Sequence, residues 1–194
     1  MSFKLDVSTV TFLTCLLVCF CVHAEMNDTI REQLLTMHNV VRQLAMYGLI
    51  PGQPEAVRMN PLRWNMELER KAQNLSNQCK NEHDKNDERR IQGFQYVGQT
   101  WAGTYKVERA VQLWLSEVMY YNFTTNKCSS ATCGNYPQLI VNCAHTNFTL
   151  FYYLQTFPRS FQLVWENTTD VGCGVTKCPN FKTKLVIVCN YGPG

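Results

Sequence analysis

The fold is decided by the stretch FQLVWENTTDVGCGVTKCPNFKTKLVIVCNYGPG, residues 161–194. Its apolar residues come in short blocks, such as Leu-Val-Ile-Val at 185–188, and polar turns separate the blocks. Such blocks are typical of short buried strands rather than of a long helix. The stretch also holds three of the ten cysteines of the chain. Because helical patterns precede it, we predict a small sheet that helices cover and that disulfides anchor.

Short motifs along the chain resemble those of one family, the CAP superfamily of cysteine-rich secretory proteins, antigen-five allergens and plant pathogenesis-related proteins. They occur in the family's order, with cysteines between them, and the likeness is to the venom allergen-like proteins that parasitic worms secrete. It implies an α/β domain, a three-layer α-β-α sandwich with a small central antiparallel sheet stapled by disulfides. The motifs are His38-Asn-Val-Val-Arg42, Leu62-Arg-Trp64, Gly98-Gln99, Trp114-Leu-Ser-Glu117, Gln162-Leu-Val-Trp165, Val171-Gly-Cys173 and Cys189-Asn-Tyr191.

The N-terminal residues have the pattern of a secretory leader. Lys4 lies near the start, residues 7–22 carry no charge, and Val22-His-Ala24 fits a small-residue cleavage site. The uncharged part is shorter than the roughly 20 apolar residues that a membrane span needs. We therefore predict a signal peptide at residues 1–24, a secreted domain at residues 25–194 and no transmembrane anchor; an uncleaved anchor is the alternative.

Cysteines, sequons and charge agree with a secreted chain. Cleavage after Ala24 would remove Cys15, Cys19 and Cys21 and leave seven cysteines, so that one thiol has no partner. The net charge is +3 without a basic periodic face, and we expect no nucleic-acid partner. Five Asn-x-Ser/Thr sequons predict glycosylation. These sequons are at Asn27, Asn74, Asn122, Asn147 and Asn167.

A first helix is predicted by apolar residues at steps of three and four. It begins near Asp28, with a capping box at Thr29 and Glu32, and Tyr47-Gly48 ends it. His38 falls beside the apolar face of this helix. We expect it to be a buried histidine that is hydrogen-bonded to the backbone.

Two further helices and one loop follow. Asn65 is expected to cap a second helix that ends near Cys79, and a third helix covers about residues 105–120. Residues 80–90 between them carry dense charge of both signs, which favours a solvated loop.

One family motif is interrupted. Its beginning appears at Cys133-Gly-Asn-Tyr-Pro-Gln138, and its end appears at Gln162-Leu-Val-Trp165, with the shared glutamine offset by 24 residues. We predict an insertion near residues 137–160. It is either a loop that covers an apolar surface or an artefact of the gene model.

The resemblance also implies a cleft in which many CAP proteins place two histidines and two glutamates, which in some members hold a divalent metal. The first histidine corresponds to His83, the first glutamate falls on Gln99, and the second is Glu117. The second histidine falls on Arg159 or Asn135, depending on which half of the interrupted motif is used. One imidazole and one carboxylate are fewer than the three protein ligands of a catalytic zinc, and an amide is a poor replacement. We predict weak or no metal binding, no cofactor and no catalytic residue.

The disulfides are likewise implied by the resemblance. It pairs Cys79 with Cys178, and Cys173 with Cys189. Of the remaining cysteines, we expect Cys128 to pair with Cys133, which leaves Cys143 in the insertion as the odd thiol.

Three functions are compatible with these features. The first is a secreted non-catalytic protein that binds a sterol or fatty acid in an apolar groove, near the aromatic residues Tyr120, Tyr121, Phe123 and those of 148–157. The alternative for these aromatic residues is that they pack in the core. The second function is an effector that binds host extracellular proteins. The third is a metal-dependent hydrolase, which the damaged cleft argues against.

Overall fold

A computed structural model describes residues 26–125, 127–129 and 167–194, and the predicted leader and insertion lie outside these residues. The helices are α1 (Asp28–Met46), α2 (Met66–Ser76), α3 (Asn86–Arg89) and α4 (Val107–Ser116), followed by a 3-10 turn (Glu117–Tyr120). The strands are β1 (Arg63–Trp64), β2 (Gly98–Thr104), β3 (Tyr121–Asn122), β4 (Lys127–Cys128), β5 (Asp170–Lys177) and β6 (Leu185–Gly192). None of the helices in this part of the chain has the length and apolar composition to cross a membrane.

Four strands form the central sheet in the order β1-β5-β6-β2. β6 is antiparallel to both β5 and β2, and Cys173 of β5 lies opposite Cys189 of β6. The apolar blocks that predicted strands lie in β5 and β6, so both strands are confirmed. The two-residue β1 joins β5 in parallel, and the sheet is therefore mixed rather than wholly antiparallel. A separate pair, β3 and β4, follows the 3-10 turn.

Helices cover both faces of the sheet, since successive residues of a strand point to opposite sides. On the α2 face, Val186 and Val188 pack against Ala72 and Leu75 of α2. On the α1–α4 face, the core contains residues of both helices and alternate residues of β5 and β6. These core residues include Leu34, Val41, Val111, Trp114, Val171, Val175 and Ile187. The predicted three-layer α-β-α arrangement is confirmed.

The helix boundaries follow from their caps. Asn65 accepts hydrogen bonds from the backbone N–H groups of Glu67 and Leu68, as predicted for the start of α2. The predicted capping box at the start of α1 is wrong, because Asn27 is the cap and accepts from the N–H of Ile30 at 2.9 Å. Within the charged stretch predicted to be a loop, residues 86–89 form the short helix α3.

Two disulfides link elements of the fold, and they are the pairs that the family resemblance implies. Cys79, after α2, is bonded to Cys178, which follows β5, across 99 residues of sequence. Cys173 and Cys189 join β5 to β6. Cys128 is also disulfide-bonded. Its proposed partner Cys133, and the proposed odd thiol Cys143, lie outside the described residues.

Candidate functional site

The cleft residues His83 and Gln99 are in direct contact. Gln99 lies on β2 and is 1% exposed, and its side-chain oxygen accepts a hydrogen bond from His83 Nδ1 at 2.8 Å. Its amide nitrogen donates to Asp84 Oδ1 at 3.0 Å and to Asn190 Oδ1 at 2.9 Å. Both donors and the acceptor of Gln99 are thus engaged, which is how a buried amide avoids an unsatisfied polar group.

Among the described residues, His83, Gln99 and Asp84 offer few free ligand atoms for a divalent metal. Because the oxygen of Gln99 can only accept, Nδ1 of His83 is the donor, which leaves Nε2 as the one ring nitrogen that could bind a metal. The carboxylate of Asp84 is already paired with the Arg89 guanidinium at 2.7 Å. Zinc sites prefer thiolate, imidazole and carboxylate ligands. Gln99 supplies a neutral amide whose oxygen is occupied.

Of the other predicted cleft residues, one is described and two lie outside the described part of the chain. Glu117 begins the 3-10 turn after α4 and is partly buried. Arg159 and Asn135 lie outside the described residues. Sequence reasoning missed Asp84 and Asn190, although each neighbours a residue already singled out, His83 and Cys189.

His38 is a structural residue, as predicted. It is fully buried, and its Nδ1–H donates to the carbonyl of Leu34 at 2.7 Å. Its Nε2 therefore accepts from the hydroxyl of Tyr191 at 3.0 Å, and Thr100 donates in turn to Tyr191 at 3.1 Å. Burial lowers the pKa of His38 to about 4 and raises the pKa of Tyr191. The neutral ring is held in one orientation and cannot take up a proton near neutral pH.

Arg42 joins α1 to two segments of the chain on the same side of the sheet. Its guanidinium is buried and donates to the carbonyl of Asn60 at 2.8 Å and to that of Thr168 at 3.2 Å. Burial lowers the pKa of Arg42 to about 10, so the group is still a cation at neutral pH. Its charge is a second, smaller cause of the lowered pKa of His38.

His38 also lies beside the Cys173–Cys189 disulfide. Their possible ligand atoms all lie within 4.8 Å of one another. Among the described residues, no other set of three His, Cys, Asp or Glu side chains is clustered in this way. Both sulfurs are bonded to each other. They therefore do not offer the thiolates that a metal would need.

An apolar groove of about 230 Å³ runs between α1 and α4. Its exposed walls are almost entirely hydrocarbon, and Val40, at 47% exposure, lies on its open side. The lining residues are Thr36, Met37, Val40, Val41, Leu44, Val111, Gln112 and Leu115. Of the aromatic residues expected near a groove, Tyr121 and Phe123 pack into the core and Tyr120 is 42% exposed, and none of these three lines this groove. Those of 148–157 lie outside the described residues.

Comparison with known proteins identifies the family. A model described as "CAP: Cysteine-rich secretory protein family" matches residues 35–191. The chain belongs to the CAP family. The solved structure of Schistosoma mansoni venom allergen-like protein 4 is 31% identical, with a TM-score of 0.67, and the match covers 87% of this chain and 90% of that one. Venom allergen 5 of Brachyponera chinensis is 34% identical over 173 residues, 84% of this chain and 78% of the relative.

A longer CAP relative is matched only in part. Human GLIPR1-like protein 1 is 31% identical over 149 residues, which are 72% of this chain. The match spans about half of that protein, 51% of its length. The sequence similarity therefore extends to worm, insect and mammalian proteins, and the fold is shared with the worm structure.

Proposed function

We propose that this CAP protein is secreted, is not an enzyme, and binds the acyl chain of a fatty acid in the groove between α1 and α4. The groove itself is the observation that supports this proposal. Six of its eight lining side chains are apolar, namely Met37, Val40, Val41, Leu44, Val111 and Leu115. Burying a methylene group there is worth about 0.8 kcal/mol. No charged side chain lines the groove, so the carboxylate of the ligand stays in solvent.

The size of the groove favours an acyl chain over a sterol, the other ligand that the sequence suggested. Pockets that enclose drug-sized ligands measure about 300–1,000 Å³. A groove of about 230 Å³ holds part of a flexible chain that can follow its direction, whereas the fused rings of a sterol must enter as one rigid body. We therefore expect palmitate to bind more tightly than cholesterol.

The two described histidines support a role without catalysis. A general base must reach its substrate and take up a proton. His38 is enclosed in the core with its pKa lowered to about 4. His83 offers its exposed edge, but its neighbour Gln99 supplies neither a metal ligand nor a carboxylate. Zinc titration of the folded protein is expected to show no tight site, and a tight site that Glu117→Ala abolishes would contradict this.

A palmitate-binding assay tests the groove. Val40→Asp places a carboxylate on its open side, where desolvation by the acyl chain is costly, and is expected to weaken palmitate binding about tenfold. Val57→Asp is the matched control, since Val57 is 78% exposed and does not line the groove. Failure of wild-type protein to bind palmitate, or equal binding by both variants, would reject the proposal.

A second candidate function, binding a host extracellular protein, is favoured by an exposed apolar segment after α1. Tyr47, Leu49 and Val57 are exposed by 70%, 62% and 78%. The backbone N–H of Ala56 donates to the carbonyl of Ala45, which brings the two parts of this segment together. The same two variants separate the candidates. Under this second function Val57→Asp weakens saturable binding of a host protein without lipid, and Val40→Asp does not.

A further inference from the structure

A second, polar cleft lies on the other side of the molecule. It has a volume of about 520 Å³ and is formed by α2 and the charged segment that follows it. Ammonium, carboxylate, amide and imidazole groups line it, so it offers both hydrogen-bond donors and acceptors. The residues that matter here are Lys71, Asn74, Gln78, Glu82, His83 and Lys85.

Asn74 is both a wall of this cleft and the acceptor residue of a sequon, Asn74-Leu-Ser76. Asn74 is exposed, whereas Ser76 is fully buried. The hydroxyl of Ser76 donates to the carbonyl of Gln73 at 3.1 Å and lies 2.9 Å from Thr176 Oγ1. An enzyme that must read the serine cannot reach it after α2 has packed on the sheet. A glycan on Asn74 must therefore be added before folding, and it would be present when the cleft forms.

We propose that the N-linked glycan of Asn74 occupies the polar cleft and covers His83. A covalent link keeps the first sugars at an effective concentration in the millimolar range. Their hydroxyl and acetamido groups match the mixed donors and acceptors of the walls. Because His83 donates through Nδ1 to Gln99, its Nε2 is left to accept a hydrogen bond from a sugar hydroxyl. The volume also falls within the roughly 300–1,000 Å³ of sites that bind small molecules.

This inference depends on the secretory route in the proposed function, but not on binding of an acyl chain. If the glycan lies in this cleft, it limits access of solutes to His83, the family cleft residue beside Gln99. The amide of Gln99 takes the place of a carboxylate beneath His83, and the glycan would cover His83 from outside. His83 carries the one exposed imidazole of the described residues. The cleft is then closed to solutes rather than open to a substrate.

Modification of His83 by diethyl pyrocarbonate tests the proposal on the full chain secreted from a eukaryotic cell. The reagent attacks an accessible unprotonated imidazole nitrogen, and peptide mass spectrometry reports the rate at His83. Because reaction occurs only in the fraction of molecules with an open cleft, Asn74→Gln is expected to raise the rate about threefold or more. An amidase that removes the whole glycan from wild-type protein, and leaves aspartate at position 74, should raise it as well.

Asn122→Gln is the control, since Asn122 is an exposed sequon residue on β3 that does not line the cleft. Asn27→Gln is unsuitable because Asn27 caps α1. His38 should remain unmodified in every sample, which shows that the fold is intact. Equal rates at His83 before and after removal of the glycan would overturn the proposal. So would an Asn74 that carries no glycan in the secreted protein. Failure of the cell to secrete the chain would instead reject the secretory route of the proposed function.

Discussion

The two faces of the central sheet are packed in different ways. On the α2 face, the helix backbone lies directly on β5, because a Cβ atom at Gly172 would overlap the backbone of Glu69 and one at Gly174 that of Gln73. On the α1–α4 face, the alternate positions of β5 carry Val171, Cys173 and Val175, and side chains separate the helices from the sheet.

This difference explains where a ligand can bind. Backbone-to-backbone contact holds α2 against β5 and leaves no space between them at Gly172 and Gly174. Helices that meet through side chains of unequal size leave gaps, and the groove between α1 and α4 is one of them. The α2 face instead places its cavity at the rim, beside the charged segment. The rigid face therefore supports a polar cleft, and the side-chain-packed face holds the apolar groove.

The largest expected effect is loss of the disulfide on the α2 face. Replacing Cys79 and Cys178 together by serine opens a link across 99 residues, which costs about 4–5 kcal/mol in the chain-entropy model. The matched control replaces Cys173 and Cys189, whose sequence separation is 16, at a cost of about 3 kcal/mol. Urea unfolding of both variants measures the difference. A larger loss in the free energy of unfolding for the Cys173–Cys189 variant would contradict this. It would show that closing the long loop on the α2 face is not the main contribution of the disulfides to stability.

Gly174→Val breaks the close contact of α2 with the sheet. The new side chain meets helix backbone rather than a movable side chain, and we expect a loss of about 4 kcal/mol in the free energy of unfolding. Gly103→Ala is the milder control. There the nearest atoms are the side-chain atoms Thr183 Oγ1 at 3.0 Å and Trp101 at 3.2 Å, which can shift. Similar losses in the two variants, measured by thermal unfolding, would mean that α2 can move away from β5.

Gln99→Glu tests the polar network at the edge of the α2 face. The change replaces a donor of two hydrogen bonds by a carboxylate that faces the oxygens of Asp84 and Asn190. Lost bonds and repulsion together should cost about 3 kcal/mol at pH 7. Gln112→Glu makes the same chemical change on the exposed surface of α4 and should cost little. A stable Gln99→Glu protein would show that the cleft readily accepts a second carboxylate.

The smallest expected effect is the pH dependence of stability that His38 causes on the α1–α4 face. The pKa of His38 is about 4 in the fold and about 6.5 in the unfolded chain, so the unfolded state binds more protons between these values. The contribution of His38 to the free energy of unfolding is fully present above pH 6.5. It falls as the pH is lowered, by about 2 kcal/mol between pH 7 and pH 5. His38→Asn should remove this part of the pH dependence, and His83→Asn should retain it. Denaturant titrations at the two pH values measure it, and an unchanged slope in His38→Asn would contradict the assignment.

Much of the fold could be predicted because local signals and family motifs agree. The apolar blocks of β5 and β6, the cap at Asn65 and the burial of His38 all follow from residue type and spacing. β2 was missed, since Gly-Gln-Thr-Trp-Ala-Gly-Thr lacks the apolar alternation of an isolated strand and depends on pairing with β6. α3 was missed because it depends on Arg89, a buried cation that donates to the carbonyl of Val97.

The candidate site was less predictable than the fold. Sequence identified Gln99 as a lost carboxylate, but its orientation depends on Asp84 and Asn190, which come from different parts of the chain. The groove depends on the spacing of α1 and α4, and tertiary packing alone decides that spacing. Aromatic content pointed to Tyr121 and Phe123, although both fill the core.

The position of β6 has a consequence for biosynthesis. This strand lies between β5 and β2 yet follows every other described element in the chain. Until it leaves the ribosome, its neighbours have open edges, which are prone to pair wrongly. Cys189 joins Cys173 only at that stage. The nascent polypeptide therefore remains an incomplete assembly, with two open strand edges, until the last of the described elements has been synthesised.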